Sequence, residues 1–227
     1  MRIGVDAREL QGRPTGTGRY LRNLLRLWSG GGDEIVAYFN GPAPGDPVLA
    51  GPGLLSRPVG TGRASGLLWE QRALPEAARR DGLDVFFSPA YTCPLRLPLP
   101  RVTTVHDLSF FALPQEFGLF DGWKRRTLVK ASVRASARVL VQSAFTRREL
   151  RAWFPEAAPR VREVPLGPDD DLPAAPPREE ARARVGASGP LLLTVGSIFN
   201  RRCLPELLRA TAALAPVHPG LRLEVVG

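Results

Sequence analysis

A histidine and an aspartate, His106 and Asp107, follow directly on the apolar run at residues 102–105. A histidine can donate a hydrogen bond to a substrate hydroxyl or share a proton with it, and a neighbouring carboxylate can bias the charge of the ring. The pair could instead be a capping aspartate beside a histidine with structural hydrogen bonds. Parallel α/β sheets bind ligands at the carboxyl ends of their strands, so the position favours a catalytic pair.

A second candidate site lies at residues 191–202, where an apolar run is followed by Gly196 and then by the adjacent arginines Arg201 and Arg202. A helix is predicted to begin shortly afterwards. Two cations beside a helix N-terminus gain nothing from the helix dipole unless an anion lies between them and the amides. The alternative is a pair of solvated arginines. We interpret Gly196, Arg201 and Arg202 as a diphosphate-binding turn.

Glycines also mark the segment between the first apolar run and the first helical pattern, which contains Gly16, Gly18, Arg19 and Tyr20. Glycines there would let the backbone approach a ligand, and the helix N-terminus behind them would favour an anion. The spacing is not a dinucleotide-binding fingerprint, because Leu21 stands where the third glycine would fall. A structural turn that needs the same glycines remains the alternative.

A polar segment beginning at Ser143 follows a further apolar run. Ser143 stands where a strand gives way to a helix, so N-capping is its simplest role. Thr146 and the two arginines after it could also face a phosphate from the first turns of that helix. Ser143 and Thr146, together with Arg19, are therefore candidate contacts of an acceptor or a phosphate.

Apolar runs bounded by turn residues predict strands, and amphipathic stretches between them predict helices. The predicted strands are residues 2–6, 34–39, 83–88, 102–106, 139–142, 161–164, 191–195 and 222–226. The predicted helices are residues 19–28, 67–80, 120–136, 144–153, 179–185 and 204–215. This alternation predicts an α/β fold whose parallel sheet is covered by helices on both faces.

A proline-rich and acidic stretch that starts at Pro168 divides the chain. We predict an N-terminal domain at residues 1–167 with a complete doubly wound sheet, a linker region at 168–189, and the start of a second Rossmann-like domain at 190–227. The second part contains one strand–helix–strand unit. Such a unit cannot cover both faces of its own sheet, so we expect the second domain to be incomplete.

The composition restricts the classes of function. The 227 residues carry a net charge of +9, with 29 arginines and only two lysines. Arginine binds phosphate through a planar fork, but codon usage in a GC-rich genome gives the same bias. Two distant cysteines, Cys93 and Cys203, and two histidines give no metal-ligand spacing, so no metal site is expected. Neither a signal peptide nor an apolar run of about 18 residues occurs, and we predict a cytoplasmic protein.

The stretch from Phe117 to Arg134 combines aromatic and basic side chains. Phe117, Phe120 and Trp123 precede Lys124, and further basic residues follow at four-residue spacing. A helix of this composition can lie on anionic lipid at the inner face of a membrane. A solvated basic face would have the same sequence, so peripheral membrane contact stays one of two interpretations.

Taken in order, these motifs resemble those of the family 4 glycosyltransferases, retaining enzymes of the GT-B fold that use nucleotide sugars. The resemblance rests on Gly16-Thr-Gly18-Arg-Tyr20, Thr104-Val-His106-Asp107-Leu-Ser-Phe110, Val141-Gln-Ser143-Ala-Phe-Thr146, Val164-Pro-Leu-Gly167 and Val195-Gly-Ser-Ile-Phe-Asn-Arg-Arg202. It implies a GT-B fold in which the N-terminal domain mostly holds the acceptor and the C-terminal domain holds the nucleotide sugar, with the reaction between them.

The resemblance also implies an activity. A hexose, such as mannose or glucose, would pass with retention from a nucleoside-diphosphate sugar to a glycan or lipid-linked acceptor, without a metal or other cofactor. Gly16 and Gly18 would approach the donor phosphates or the acceptor, and His106 would lie near the transferred sugar. Arg201 and Arg202 would hold the diphosphate, where the family commonly has an Arg–Lys pair, and stabilise the charge of the leaving group.

The sequence departs from the family at two places. Cys203 stands where the family often has asparagine or glycine. The family's later donor-binding stretch, with two glutamates eight residues apart, has no counterpart in these 227 residues. We therefore expect a chain truncated within its C-terminal domain, with little or no transferase activity of its own.

The residues are compatible with two further hypotheses. One is a nucleotide-sugar epimerase of the same fold, and the other is a non-catalytic basic module that binds polyanions or anionic lipid. Binding to a polyanion should weaken steeply as salt rises, whereas a nucleotide-sugar site should bind one molecule per chain. No specific recognition of nucleic acid is expected. Family enzymes often serve bacterial polysaccharide biosynthesis, and the basic stretch is compatible with an acceptor in a membrane.

Overall fold

The computed structural model describes residues 1–13, 15–62, 65–168, 173–196 and 202–227. The chain divides into two compact units, Met1–Pro168 and Asp169–Gly227. The first unit contains a sheet of seven strands and the second a sheet of two, and the sheets share no strand.

The first unit is built on a parallel sheet. Its strands are β1 (Arg2–Asp6), β2 (Glu34–Asn40), β3 (Leu54–Val59), β4 (Val85–Ser88), β5 (Arg101–Thr104), β6 (Arg138–Val141) and β7 (Val161–Glu163). They lie in the order β3-β2-β1-β4-β5-β6-β7, and every neighbouring pair is parallel. The strand order reverses between β1 and β4. Sheets of this type bind ligands at such a reversal, outside the carboxyl ends of the strands.

Helices connect the strands of the first unit. They are α1 (Gly16–Trp28), α2 (Gly66–Leu68), α3 (Leu74–Arg80), α4 (Ser109–Ala112), α5 (Leu119–Ala135) and α6 (Ala144–Trp153), with a π-helical turn (Trp69–Ala73) between α2 and α3. Short 3-10 turns lie at Arg8–Leu10, Pro47–Ala50, Pro114–Glu116 and Pro155–Arg160. Side-chain caps define where the two helices nearest the site begin. Thr15 accepts from the Gly18 amide at α1, and Ser143 accepts from the Thr146 amide at α6.

Strand β2 shows that the sheet is covered on both faces. Its odd-numbered residues pack with Leu21 and Leu25 of α1, and its even-numbered residues pack with Trp69 and Leu74. Successive side chains of a strand point to opposite faces, so this strand needs apolar cover on each side. A third buried cluster, which includes Val139, lies around β5, β6 and α5. The prediction of a doubly wound parallel α/β sheet is confirmed.

The second unit contains α7 (Arg178–Arg184), β8 (Leu191–Val195), α8 (Leu204–Leu214) and β9 (Arg222–Val226). Strands β8 and β9 are parallel, with Leu193 opposite Glu224. Over residues 173–196 and 202–227, no side chain is fully buried, and apolar residues such as Leu193, Val195 and Leu208 are exposed. One strand–helix–strand unit thus leaves its own sheet uncovered.

Several predicted boundaries were wrong for identifiable reasons. The sequence did not predict β3, because it is an edge strand whose central residues are exposed, and Pro58 is tolerated there. The helix predicted at 67–80 is interrupted by the π-helical turn. The glycine segment predicted as a loop at 16–18 is the first turn of α1. Strand β5 ends at Thr104, so His106 lies beyond the strand rather than within it.

Candidate functional site

His106 lies two residues after β5, at the carboxyl edge of the seven-stranded sheet. Its Nε2 is 2.7 Å from the carbonyl oxygen of Pro89, in the loop after β4. A carbonyl oxygen can only accept, so Nε2 carries the proton. In the neutral ring the lone pair is then on Nδ1, which makes that nitrogen the acceptor for a hydroxyl bound beside it.

Aromatic side chains hold the imidazole on two sides. Tyr20 of α1 and Tyr91 of the loop after β4 each pack against His106 with ring centroids 5.4 Å apart. The Tyr20 hydroxyl lies 3.2 Å from Thr104 Oγ1, and burial raises the pKa of this tyrosine, so the hydroxyl stays neutral. The ring of His106 is therefore positioned by segments that follow β1 and β4 as well as β5.

Tyr91 has an unusual backbone for a bulky residue, with a φ of 59°. Its amide donates to the Thr104 carbonyl at 2.8 Å, and its hydroxyl donates to Asp107 Oδ2 at 2.7 Å. A left-handed non-glycine residue costs about 1–3 kcal/mol and persists only where its surroundings fix it, often at functional sites. No sequence pattern marks this conformation, and the sequence analysis did not single out Tyr91.

Asp107 is held by three donors. Besides the Tyr91 hydroxyl on Oδ2, its Oδ1 accepts from the Ser109 amide at 2.9 Å and from the Ser109 hydroxyl at 2.6 Å. This is an Asx turn that leads into α4. These are the hydrogen bonds of a capping aspartate, so the structure gives Asp107 a structural role. Its catalytic role stays a prediction. Through Tyr91, the carboxylate also helps to position His106.

Ser143 and Thr146 lie beside His106, at the start of α6. The Thr146 hydroxyl donates to the carbonyl oxygen of His106 at 3.3 Å, and Ser143 Oγ accepts the Thr146 amide at 3.1 Å. Thr146 is buried, whereas Ser143 is exposed. Both therefore have structural hydrogen bonds, while their contact with an acceptor or a phosphate stays a prediction.

The two glycines of the first helical turn differ in their surroundings. A Cβ at Gly18 would overlap the backbone carbonyl oxygen of Glu9, whereas a Cβ at Gly16 would meet nothing within 4 Å. Gly18 is thus required by the close packing of α1 on the turn after β1. Arg19, the next residue, is exposed. The structure gives Gly18 a packing role and leaves the ligand contacts of Gly16, Gly18 and Arg19 as predictions.

A cavity of about 760 Å³ opens at the carboxyl ends of β1 and β4, where the strand order reverses. Small-molecule sites in proteins commonly have volumes of about 300–1,000 Å³. Side chains from four segments line it, including Asp6, Arg8, Leu67, Glu70, Tyr91, Thr92, Asp121, Lys124, Arg125 and Leu128. Pro89, whose carbonyl binds His106, is also part of the wall. The loop after β4 therefore both binds His106 and forms part of the cavity wall.

A buried ionic cluster forms the inner wall of this cavity. Arg8 Nη2 lies 2.6 Å from Asp6 Oδ2 and 3.2 Å from Glu70 Oε2, and the guanidinium stacks over Trp69 with 4.7 Å to the ring centroid. Asp6 is 5% exposed and Glu70 3%. Burial raises the pKa of Glu70, Arg8 opposes the change, and Asp6 adds to it. No sequence motif marked this cluster, although Asp6 ends a predicted strand, as a site residue often does.

In the second unit, Gly196 and Arg202 lie together at the carboxyl end of β8. Gly196 has a φ of 134°, a conformation that favours glycine, and a Cβ there would lie 2.8 Å from Arg202 Nη1. Cys203, at the start of α8, has a φ of 52°. Glycine or asparagine adopts that left-handed conformation at less cost than cysteine does. Arg201 lies outside the described residues.

The described residues contain neither a metal-binding group nor a membrane-spanning helix. No three His, Cys, Asp or Glu side chains come together there as a metal-binding group. In the same residues, no helix is both long and apolar enough to cross a membrane.

Solved glycosyltransferase structures have the same fold as this chain. Sucrose-phosphate synthase from Thermosynechococcus elongatus matches with a TM-score of 0.70 and 21% identity, over 100% of this chain and 62% of its own. HepE from Anabaena, solved in complex with UDP and glucose, matches with a TM-score of 0.65 and 16% identity, over 100% of this chain and 60% of its own. The fold is thus of the GT-B type. The chain spans about three fifths of the length of these two proteins.

The sequence match is more specific than the fold. The model of Glycosyltransferase Family 4 matches residues 14–172, which are more than half of the chain. The chain therefore belongs to glycosyltransferase family 4. A comparison with curated proteins found no significant match.

Proposed function

We propose that the protein acts in the transfer of a hexose, with retention and without a metal, from a nucleoside-diphosphate sugar to a glycan or lipid-linked acceptor. The observation that carries this proposal is the fixed tautomer of His106. Its Nε2 proton is directed to the Pro89 carbonyl, so Nδ1 can accept a hydroxyl of the transferred sugar. The family assignment supports glycosyl transfer, and HepE, a protein of the same fold, was solved with UDP and glucose.

In the proposed reaction the bond between the anomeric carbon and the diphosphate breaks, and the diphosphate keeps the electron pair. The acceptor hydroxyl attacks from the same face, and its proton passes to the departing phosphate oxygen. Negative charge grows on the leaving group, so preorganised cations and helix amides lower the barrier. Arg202 beside Gly196, ahead of α8, has the charge and position for this role.

The other hypotheses have less support. The family match covers the motifs at 16–20, 104–110 and 141–146 and favours glycosyl transfer over epimerisation. A basic module that binds polyanions would need only net charge, whereas His106 donates to Pro89, a residue in the wall of a cavity of about 760 Å³.

Ligand-observed NMR with UDP-glucose and GDP-mannose tests the proposal, because saturation transfer detects weak binding. We expect saturation of the sugar protons in the wild type and a loss of roughly tenfold in affinity in His106→Ala, as for one lost hydrogen bond to a ligand. UDP and GDP alone should bind the variant as they bind the wild type. His218→Ala removes the other histidine, which is exposed in the second unit, and serves as the matched control. Equal sugar saturation in both variants would refute the role of His106.

We also propose that the start of α5 touches a membrane that carries the acceptor. Leu119, Phe120 and Trp123 are 93%, 71% and 59% exposed, and Lys124 and Arg125 follow within one turn. Apolar side chains beside cations suit the interface of an anionic bilayer.

Several side chains of the basic stretch have structural partners, and Arg125 is one of them, because its guanidinium lies 5.8 Å over the Phe110 ring. Arg126 donates to the carbonyl oxygen of Phe110 at 3.1 Å, and Arg134 forms an ion pair with Glu156 at 2.8 Å. Phe117 packs against the ring of Phe110. The proposed contact is therefore narrower than the predicted stretch from Phe117 to Arg134, and it rests on the exposed apolar side chains of residues 119–123 with Lys124 beside them.

A further inference from the structure

We propose that Glu70 forms a subsite in the cavity for a hydroxyl group of an uncharged carbohydrate, the acceptor of the transfer. The identification of this carbohydrate as an acceptor rests on the proposed function. The subsite itself rests on the geometry of the buried cluster around Glu70.

One oxygen of the Glu70 carboxyl group has no partner among the described residues. Oε2 accepts the Thr92 hydroxyl at 3.0 Å and lies 3.2 Å from Arg8 Nη2, whereas Oε1 is buried and makes no hydrogen bond there. Glu70 is 3% exposed and lines the cavity. Buried polar atoms in folded proteins nearly always have a partner, so Oε1 has the capacity to bind a hydrogen-bonding group that enters the cavity.

The two charged side chains next to Glu70, Asp6 and Arg8, already bind each other. Arg8 donates through Nε and Nη2 to the carboxylate of Asp6, and through Nη1 to the carbonyl oxygen of Gly66 at 2.8 Å. Both carboxylate oxygens of Asp6 thus accept from Arg8. Within the described part of the cluster, Glu70 Oε1 is the carboxyl oxygen left for a ligand.

Glu70 lies in the π-helical turn and lines the cavity from it. The Leu74 amide bonds to the carbonyl oxygen of Trp69, five residues back, and this defines the π-helical turn. Trp69 and Glu70 are consecutive and both buried, and the Trp69 indole donates to the carbonyl oxygen of Val59 at 2.9 Å. Turns of this type are rare and frequently occur at functional sites. This one lies against the strand-order reversal, where parallel sheets bind ligands.

The charges around Oε1 select a neutral ligand group. At Oε1 itself, the Glu70 and Asp6 carboxyls disfavour a phosphate or a carboxylate, and the Arg8 guanidinium, 3.2 Å from Oε2, disfavours a cation. Asp121, Lys124 and Arg125 of α5 also line the cavity, so the preference for a neutral group applies to the ligand atom at Oε1. A hydroxyl can donate to Oε1 when the carboxyl is ionised and can accept from it when it is protonated. It therefore satisfies the atom in either state. A sugar ring carries several such hydroxyls and has a size suited to a cavity of about 760 Å³.

The test is ligand-observed NMR with methyl glucoside, methyl mannoside and methyl galactoside, each also as its single-deoxy analogues. We expect at least one glycoside to bind the wild type and one deoxy position to weaken that binding about tenfold. In Glu70→Leu the same deoxy analogue and its parent should bind equally, because the partner of the hydroxyl is gone. Glu70→Gln keeps a hydrogen-bonding group and should retain part of the discrimination. Glu76→Gln, at an exposed glutamate of α3, should retain all of it.

The comparison of parent and deoxy ligand within one variant remains valid even if Glu70→Leu lowers overall affinity by disturbing the cavity. No binding of any glycoside to the wild type would overturn the subsite. So would an unchanged deoxy effect in Glu70→Leu, or phosphate binding that strengthens in Glu70→Gln. Binding of UDP-glucose and GDP-mannose, measured beside it, separates the two proposals. If nucleotide sugars bind but the deoxy effect does not depend on Glu70, only the subsite is rejected. If the deoxy effect depends on Glu70 but no nucleotide sugar binds, only the proposed donor site is rejected.

Discussion

At the scale of single residues, Glu70 links pH to stability. Burial raises its pKa above the ordinary value of 4.5, Arg8 opposes the change, and Asp6 adds to it. The folded chain thus holds this proton more tightly than the unfolded chain. The stability from the protonated carboxyl is complete below about pH 4.5 and is lost as pH rises through the raised pKa. The side chain introduced in Glu70→Gln does not ionise, so the variant does not lose this stability. As pH rises over that range, the unfolding free energy of the variant minus that of the wild type should increase.

Urea unfolding from about pH 4 to about pH 8 measures this difference. Glu76→Gln is the control, because it loses only an exposed ion pair with Arg80, and its stability should stay within about 0.5 kcal/mol of the wild type at every pH. A difference between wild type and Glu70→Gln that does not change with pH would show that Glu70 keeps an ordinary pKa.

The two glycines at the start of α1 separate packing from ligand binding. Gly18→Ala places a Cβ against the carbonyl oxygen of Glu9, and overpacking of this kind costs about 1–3 kcal/mol. Gly16→Ala meets open space and gains the helix propensity of alanine, up to about 1 kcal/mol. Urea unfolding should therefore rank the Gly16 variant at or above the wild type and the Gly18 variant below it. Equal stability of the two variants would contradict the packing role of Gly18.

The sequence predicted some site residues and missed others for physical reasons. His106, Ser143 and Thr146 follow apolar strands, and the carboxyl ends of parallel strands meet at one edge of a sheet. Their proximity is therefore implied by the alternation of strands and helices. Glu70 lines the cavity from a π-helical turn, and Tyr91 has a left-handed backbone conformation with hydrogen bonds to Thr104 and Asp107. Neither feature leaves a periodic signal in the sequence.

At the scale of elements, the same contrast separates β2 from β3. The central residues of β2 are buried on both faces and form a continuous apolar run, which predicts a strand directly. Strand β3 lies at the edge, and its exposed polar residues and Pro58 have no helical or strand periodicity. Its place in the sheet comes from its hydrogen bonds with β2, and these are not readable from local sequence.

The exposed start of α5 gives the prediction that belongs to this scale. Phe120→Ser with Trp123→Ser should lower binding to vesicles that contain phosphatidylglycerol by at least about tenfold, because two apolar anchors are lost from the interface. Cosedimentation with vesicles measures the effect. Phe145→Ser is the matched control, since Phe145 is 61% exposed on α6 and packs near Arg148. An equal loss in the control, or no vesicle binding by the wild type, would reject the proposed contact.

At the scale of the whole molecule, the two units differ in how much apolar surface they bury. The first has three buried clusters on the two faces of its sheet. In the second, no described side chain is fully buried. The proline-rich and acidic stretch from Pro168 predicted a division of the chain near this position, because such composition cannot bury enough surface to fold. Burial itself depends on which elements cover a sheet, and local sequence does not contain that information.

This difference in burial should appear in hydrogen exchange. Amides of β1, β4 and β5 lie between covered faces, so we expect them to exchange only through global unfolding, whereas those of β8 and β9 should exchange by local opening and much faster. Leu21→Ala removes a fully buried side chain of the first unit and should lower stability by about 2–5 kcal/mol, with faster exchange throughout that sheet. Leu193→Ser, at an exposed position of β8, should change stability by less than about 0.5 kcal/mol. Mass spectrometry of peptides from β1 and β8 resolves both effects. Protection of β8 equal to that of β1 would mean that the second unit has cooperative stability that its burial does not explain.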